Sequence, residues 1–442
     1  MSRRRRRLPA IEMTVAIEGL TNESRGVAHY DGKAVFVEGA LPKEVVRCQT
    51  IKRTSKYDIA KVLEVMQPSA DRVQPKCSAA GICGGCSLQH MSEASQIHAK
   101  QQVLLDNLRQ IGKVSPATIL PPLTGPAWHY RRKARLGVKV VPKKGGVLVG
   151  FREKQSGYLA VMDSCVVLEE RFSSLILPLR ELIARISIAK RIPQIEIAAG
   201  DDDAVLVFRH LEPLTKSDLE LLRDFADSHQ LSIMLQPQGP DSIQPLIPGK
   251  QNLLEYRLDD WDIKIQFRPT DFTQVNASIN RLMIARALEL LAPEQGDEVL
   301  DLFCGIGNFT LPLARVSSRV TGIEADSVLV EMARRNASLN DLNNAEFITA
   351  DLYDAPLDGS WLHRSWDRIL LDPPRSGAME VVERLAELQP KRIVYVSCNP
   401  ATLARDADLL VNKHAFKLTA AGVMDMFPHT KHVESIAVFD PC

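Results

Sequence analysis

The sequence predicts an α/β protein. A Rossmann-like, doubly wound sheet fills the C-terminal part, an OB-like β-barrel the N-terminus, and an α+β segment lies between. Three observations carry this. From about residue 270, strand candidates at 298–303, 319–323, 346–350, 367–371 and 391–396 alternate with helical segments, as in a mostly parallel sheet. Residues 11–66 instead show short strands separated by turns. The chain of 442 residues is 45% hydrophobic and 25% charged, which suits two or three soluble domains and leaves no apolar run long enough to cross a bilayer.

The N-terminus is basic through Arg3–Arg7 but has no apolar signal-peptide core, so the expected location is cytoplasmic. Residues 1–70 carry 13 Lys/Arg against 8 Asp/Glu, a net +5 on a chain whose total is +1. That imbalance points to an anionic partner such as RNA. Strand candidates Val15–Ile17, Ala34–Val37, Val45–Cys48 and Ile59–Val65 build the barrel, with Lys52, Arg53 and Lys56 on a surface suited to nucleic acid.

Pro68 to Pro75 reads as a linker. Cys77, Cys83 and Cys86 follow, three soft ligands within ten residues, with Gly81, Gly84 and Gly85 freeing the backbone. Eight cysteines in a cytosolic chain are not a disulfide framework. Thiolates at this spacing suit zinc or an iron–sulfur cluster, and the single Cys-x2-Cys pair is one short of a zinc knuckle.

Ile97, Val103, Leu104, Leu105, Leu108 and Ile111 predict a helix over 92–111, ended by Gly112. Four prolines between 116 and 126 mark a connection. Residues 128–265 mix strands and helices, with a hairpin across Gly200-Asp201-Asp202, and 236–250 reads as loop. His129 to Arg135 places four charges beside Tyr130, a pattern for phosphate contact and base stacking.

In the C-terminal part, Val299-Leu300-Asp301-Leu302-Phe303 is a buried-type strand, and Gly305 and Gly307 follow at once. Glycines there let a ligand approach the backbone. Glu324 ends the next strand, Asp351 the third and Asp372 the fourth. All fall on the carboxyl edge, where open α/β sheets bind ligands. Glu324 suits a ribose and Asp351 an adenine. Thr310 replaces the third glycine of a pyrophosphate loop, which favours S-adenosylmethionine over NAD.

Cys398 ends the fifth strand on the same edge, ahead of Asn399 as helix cap and Pro400 as first helical residue. A helix N-terminus is expected to lower the thiol pKa. Such a thiol beside a methyl donor implies methylation of a carbon too weakly nucleophilic to react unaided, such as pyrimidine C5. Addition at C6 activates C5, and a base must then remove the C5 proton. Glu434, before the apolar strand 436–439, is the candidate base. Cys304, in the glycine loop, is taken as inert.

These residues resemble the RNA uracil-5-methyltransferase family over nearly the whole chain. Ser397-Cys398-Asn399-Pro400 is similar to its nucleophile motif and His432-Val433-Glu434 to the motif of its base; Asp372-Pro373-Pro374-Arg375 is also shared. Phe272-Thr273-Gln274-Val275-Asn276 resembles the segment whose glutamine contacts S-adenosylmethionine. The resemblance implies a class I methyltransferase domain in which Gln274, Phe303, Asn308, Glu324, Asp351 and Asp372 line the cofactor site. The barrel resembles a TRAM domain. Cys77, Cys83 and Cys86, with Cys165 as a distant fourth, resemble the [4Fe–4S] site of the 23S rRNA-modifying subgroup.

The implied organisation is a tail and TRAM-like barrel over 1–68 and an iron–sulfur domain from 69–88 and 122–268. The catalytic domain is then built from 89–121 and 269–442. The implied partner is an unpaired or flipped-out uridine of 23S rRNA, with no DNA and no membrane, acted on by a monomer. Competing readings are a tRNA uracil-5 enzyme, an RNA cytosine-5 enzyme and a non-catalytic RNA-binding assembly factor. The cytosine enzymes place their nucleophile after proline, whereas Cys398 follows Ser397. Amino-group methylation is disfavoured because Arg375, not an aromatic, follows Asp-Pro-Pro.

Overall fold

The computed structural model describes residues 9–249, 252–354 and 359–442. The Arg3–Arg7 run lies outside the described residues. Six strands form the N-terminal sheet in the order Glu12–Ala16, Val45–Arg53, Tyr57–Gln67, Lys33–Glu38, Arg25–Tyr30, Gly19–Leu20. Alternation puts Met13, Val15, Val35, Val37, Val46 and Cys48 inside. Buried Glu44 ties this unit to the next segment through Arg72, at 2.5 Å and 2.8 Å.

The central sheet has the order Gln244–Pro245, Ser232–Gln236, Ala204–Arg209, Gln194–Ala199, Lys133–Val141, Gly146–Gly150. The hairpin across Gly200 is present, with Ile197 opposite Leu206. The stretch read as loop from 236 holds the short strand Gln244–Pro245, which pairs with Ser232–Gln236. Helices Ile176–Arg185 and Lys216–Ser228 cover this sheet with leucine and phenylalanine faces.

The third sheet runs Ala345–Thr349, Arg319–Glu324, Glu298–Leu302, Arg368–Leu371, Arg392–Ser397, Glu434–Pro441, Phe416–Met424, Thr118–Ile119. The first five are parallel; Glu434–Pro441 is antiparallel to both its neighbours. Glu434–Pro441 lies between Arg392–Ser397 and Phe416–Met424, and its run of Ile436, Ala437, Val438 and Phe439 is buried as a strand inside a sheet requires. Pleating sends Val299, Val394 and Val396 to one core and Leu300, Leu302, Ile393 and Tyr395 to the other.

Helix Glu93–Gln110, capped by Ser92, lies on the second of these faces. It packs on helix Pro400–Asp408 and strand Phe416–Met424, some three hundred residues away in sequence. The approach is close enough that a Cβ at Gly112 would stand 2.5 Å from the Ala404 carbonyl oxygen.

Candidate active site

The parallel register brings Phe303, Glu324, Asp351 and Asp372 to one sheet edge, since Leu302 pairs with Ile323 and with Leu371. Three residues of the loop after Glu298–Leu302 have left-handed backbones: Phe303 at φ 67°, Gly305 at 55° and Gly307 at 95°. Nothing stands within 4 Å of a Cβ built on Gly305, so a ligand has room there. Phe303 holds a strained conformation for a bulky residue, a feature that concentrates at functional sites.

Glu324 braces this loop, accepting the Gly305 N–H at 3.2 Å and the Asp326 N–H at 3.0 Å. Thr310, fully buried, donates to Asp301 at 2.5 Å. The other Asp301 oxygen is buried without a partner, and burial pushes this acid up to about 7. Asp351 is exposed and accepts the Tyr353 N–H at 2.9 Å. Rings of Phe303 and Tyr353 stand 5.7 Å apart. Burial also pushes Asp372 up to about 7.

The Asn308 amide is held by its neighbours: its oxygen accepts from Tyr256 (2.8 Å) and Asn280 (3.1 Å), and its nitrogen donates to Asn280 (2.9 Å). Gln274 lines a small recess with Tyr256, Thr273 and Asn280.

Ser397 pairs with Ser435 across antiparallel strands, and the Ser435 hydroxyl donates to the Ser397 carbonyl at 3.0 Å. One residue further on each strand sets Cys398 opposite Glu434. Asn399 caps the next helix as expected, accepting the Ala401 N–H at 3.2 Å and donating to the Arg375 carbonyl at 2.9 Å.

The thiol pKa differs from the sequence expectation. Burial, with Glu434 and Asp372 adding to it, pushes Cys398 up to about 11, against the opposing pull of Arg375. Desolvation outweighs the helix N-terminus. Glu434 is 3% exposed, and burial followed by the nearby Asp372 holds its carboxyl well above the usual range. The Arg375 guanidinium donates to His432 Nδ1 at 3.3 Å; burial, then that cation, lowers His432 to about 4. Cys304 is buried with its thiol well above its ordinary value, as its assignment as inert requires.

The fold also gathers Cys77, Cys83, Cys86 and Cys165. All are free thiols; Cys165, Cys83 and Cys77 lie close enough to Cys86 to raise it, and Cys165 and Cys77 close enough to raise Cys83. Burial, the largest cause, raises Cys83 and Cys165 and pushes Cys86 up to about 12. Among the described residues no group of three or more His, Cys, Asp or Glu converges tightly enough for one metal ion.

The basic run 131–135 is mostly structural. Tyr130 is buried and donates to the Pro428 carbonyl at 3.1 Å, so it has no free face for stacking. Arg132 pairs with Asp201 at 2.5 Å. Lys133 donates to the Asp271 carbonyl, and burial lowers it to about 8. Arg135 alone of the three keeps a largely exposed side chain, at 67%. Sequence reasoning quoted Phe272 only as part of the Gln274 segment and gave it no role; it is 73% exposed directly before Thr273 and Gln274. An aromatic among polar residues in a loop was the available signal.

A glycine loop, acidic strand ends and this sheet order, with its reversed strand, define a class I methyltransferase. A family profile described as tRNA (Uracil-5-)-methyltransferase matches residues 93–440, and a TRAM domain profile matches 7–63. A relative from Alkalilimnicola ehrlichii, named 23S rRNA (uracil(1939)-C(5))-methyltransferase RlmD, is 53% identical over 439 residues, 99% of each chain. One of the same name from Hahella chejuensis is 50% identical over 447 residues, 100% of each. The chain therefore belongs to the tRNA (uracil-5-)-methyltransferase family. Its fold is similar to that of the Pyrococcus abyssi tRNA (uracil-54, C5)-methyltransferase solved with S-adenosyl-L-homocysteine. The TM-score is 0.73 at 24% identity, covering 97% of this chain and 100% of that one.

Proposed function

We propose that this chain transfers a methyl group from S-adenosylmethionine to C5 of a uridine in 23S rRNA. The observation that carries this reading is that Cys398, directly after strand Arg392–Ser397, lies within electrostatic reach of Glu434, which starts the strand paired with it, beside a glycine loop and a row of acids. The relatives' shared name supplies the RNA, and favours rRNA over tRNA. An rRNA substrate also places the reaction in the cytoplasm.

The residues present fit the cofactor: Gly305 leaves room for it, Glu324 offers carboxylate oxygens at the strand end, and Phe303 and Asp351 flank them. Gln274, Asn308 and Asp372 complete the proposed set. When bound, S-adenosylmethionine supplies an electrophilic methyl group. The Cys398 sulfur, once deprotonated, bonds to uracil C6, and the C5–C6 electrons move onto C4–O4 as an enolate. C5 then takes the methyl group. Glu434, ionised, removes the C5 proton; the C5–H electrons restore the C5–C6 double bond, the C6–S bond breaks and the Cys398 thiolate leaves. Its raised pKa makes Glu434 a strong base once ionised, and Arg375 favours the thiolate. The target base must leave its stack to reach the sulfur, and exposed Phe272 offers an aromatic face to the RNA.

Cys77, Cys83, Cys86 and Cys165 are proposed to hold a [4Fe–4S] cluster. Four free thiols, two of them buried, with Cys86 in range of the other three, support it. Three thiols close in sequence and one distant suit a cluster better than a zinc knuckle, which favours two Cys-x2-Cys pairs. Bound there, the cluster would add no redox step and would join the 77–86 loop to the segment around Cys165.

The test is methylation with labelled S-adenosylmethionine on separated 23S rRNA and tRNA, followed by mapping of the labelled base. Label at uridine C5 of 23S rRNA is expected, abolished by Cys398→Ala with cofactor binding intact. Label in tRNA alone, or turnover by Cys398→Ala, would overturn the reading.

A further inference from the structure

We propose that Gln96 and Lys100 are positioning residues that fix loop 425–432 and, through it, the Glu434 carboxylate. They stand four residues apart on one face of helix Glu93–Gln110, and both are at least 97% buried. Neither serves the apolar packing that the helix otherwise provides; Lys100 is engaged only with this loop, and Gln96 joins it to the segment Leu88–Met91.

Lys100 Nζ donates to Asp425 at 2.7 Å and to the Phe427 carbonyl at 2.8 Å. Gln96 accepts the His429 N–H at 2.8 Å through its oxygen, while its nitrogen lies 3.2 Å from His429 Nδ1. That nitrogen also donates to the Leu88 and Met91 carbonyls, at 3.1 Å and 2.8 Å. The residue so gripped is strained. His429 is buried with φ at 65°, and its carbonyl accepts both the Ser87 and Leu88 N–H groups, at 2.9 Å and 3.0 Å. A non-glycine residue keeps that conformation only where its surroundings over-determine it.

The loop is short and tight beyond this point. The Thr430 hydroxyl donates to the Phe427 carbonyl at 2.9 Å and accepts the His432 N–H at 3.2 Å. Strand Glu434–Pro441 begins two residues later. A shift at His429 is therefore passed to Glu434, whereas Cys398 and the glycine loop hang from other strands. The expected defect is selective: thiol addition and methyl transfer proceed, and removal of the C5 proton slows. This rests on the reading of Glu434 as the base.

The test uses Gln96→Met, which keeps the side-chain shape and removes its polar atoms, with concentrations normalised by cofactor binding. The expected result is a ten-fold or larger fall in kcat with an unchanged KM for S-adenosylmethionine. Methyl-labelled protein–RNA adduct should survive denaturing electrophoresis at least ten-fold above the wild-type level. A merely structural role would lower the active fraction without trapping adduct, so reduced turnover with no labelled adduct overturns the proposal, as does unchanged kcat. Glu434→Gln is run beside it: if that variant traps no adduct, the base assignment itself fails. Should Gln96→Met not fold, the same readout on Gln96→Asn, which keeps the amide but shortens its reach, decides with the same outcomes.

Discussion

Asp372 gives a prediction whose size follows from the site. Its carboxyl is raised from an ordinary 3.8 to about 7 by burial. A difference of about 3 units, at 1.36 kcal/mol each, is about 4 kcal/mol of folding free energy. The sign follows from proton counts. Between pH 3.8 and 7 the unfolded chain has released this proton and the folded chain keeps it, so stability falls as pH rises. The destabilisation is absent below 3.8 and complete above about 7. Asp372→Asn removes it while keeping the shape. In urea unfolding of the intact protein, the variant's advantage should grow by about 1.4 kcal/mol per pH unit from pH 5 to 7 and level off above. Activity should be lost in the same variant. An advantage that stays flat over this range would refute the desolvated-acid argument, and an advantage rising beyond pH 8 would move the titration to another group.

Other expectations concern separate parts of the molecule. Phe272→Ala should raise the KM for RNA, with kcat less affected, because stacking on one base is worth about 1–3 kcal/mol; an unchanged KM would remove Phe272 from the RNA surface. Cys86→Ala should yield protein with much less iron and without the brown absorbance expected of wild type purified anaerobically, and zinc in the wild type would exclude the cluster. Tyr256→Phe takes a hydrogen bond from Asn308, so it should cost about 1 kcal/mol in stability and weaken cofactor binding measured by calorimetry. Unaltered cofactor affinity would show that the glycine loop does not depend on that brace.

Much of the fold was legible because its signals are local. The helix Glu93–Gln110 follows from apolar spacing and a serine cap, and Gly305 and Gly307 take the left-handed backbones their type permits. Strand order was less legible: the insertion of Glu434–Pro441 between Arg392–Ser397 and Phe416–Met424 depends on long-range pairing that no local pattern encodes. Within the site, Cys398, Glu324 and Asp372 were found by their place at strand ends. The Cys398 pKa was misjudged because a helix start can be read from Asn399-Pro400, while burial and the nearby charges of Glu434 and Asp372 cannot. Tyr130 misled for a related reason, since an aromatic beside arginines looks the same exposed or buried. Gln96 and Lys100 escaped notice because a helix is scanned for apolar residues, and two polar residues at i and i+4 read as its wet side.

The docking of helix Glu93–Gln110 has a consequence for synthesis. Its partners, from Pro400 to Phe427, emerge roughly 300 residues later, and Lys100 lies 325 positions from Asp425. At about 5–20 residues per second, a ribosome needs roughly 15–65 s to deliver them. Throughout that interval the apolar stripe of Ile97, Leu104 and Leu108 has no partner and the Lys100 ammonium has no counter-ion. The nascent chain is thus a natural client for holding chaperones, and its methylating half cannot mature in order of translation, because an early piece must wait for the last strands to arrive.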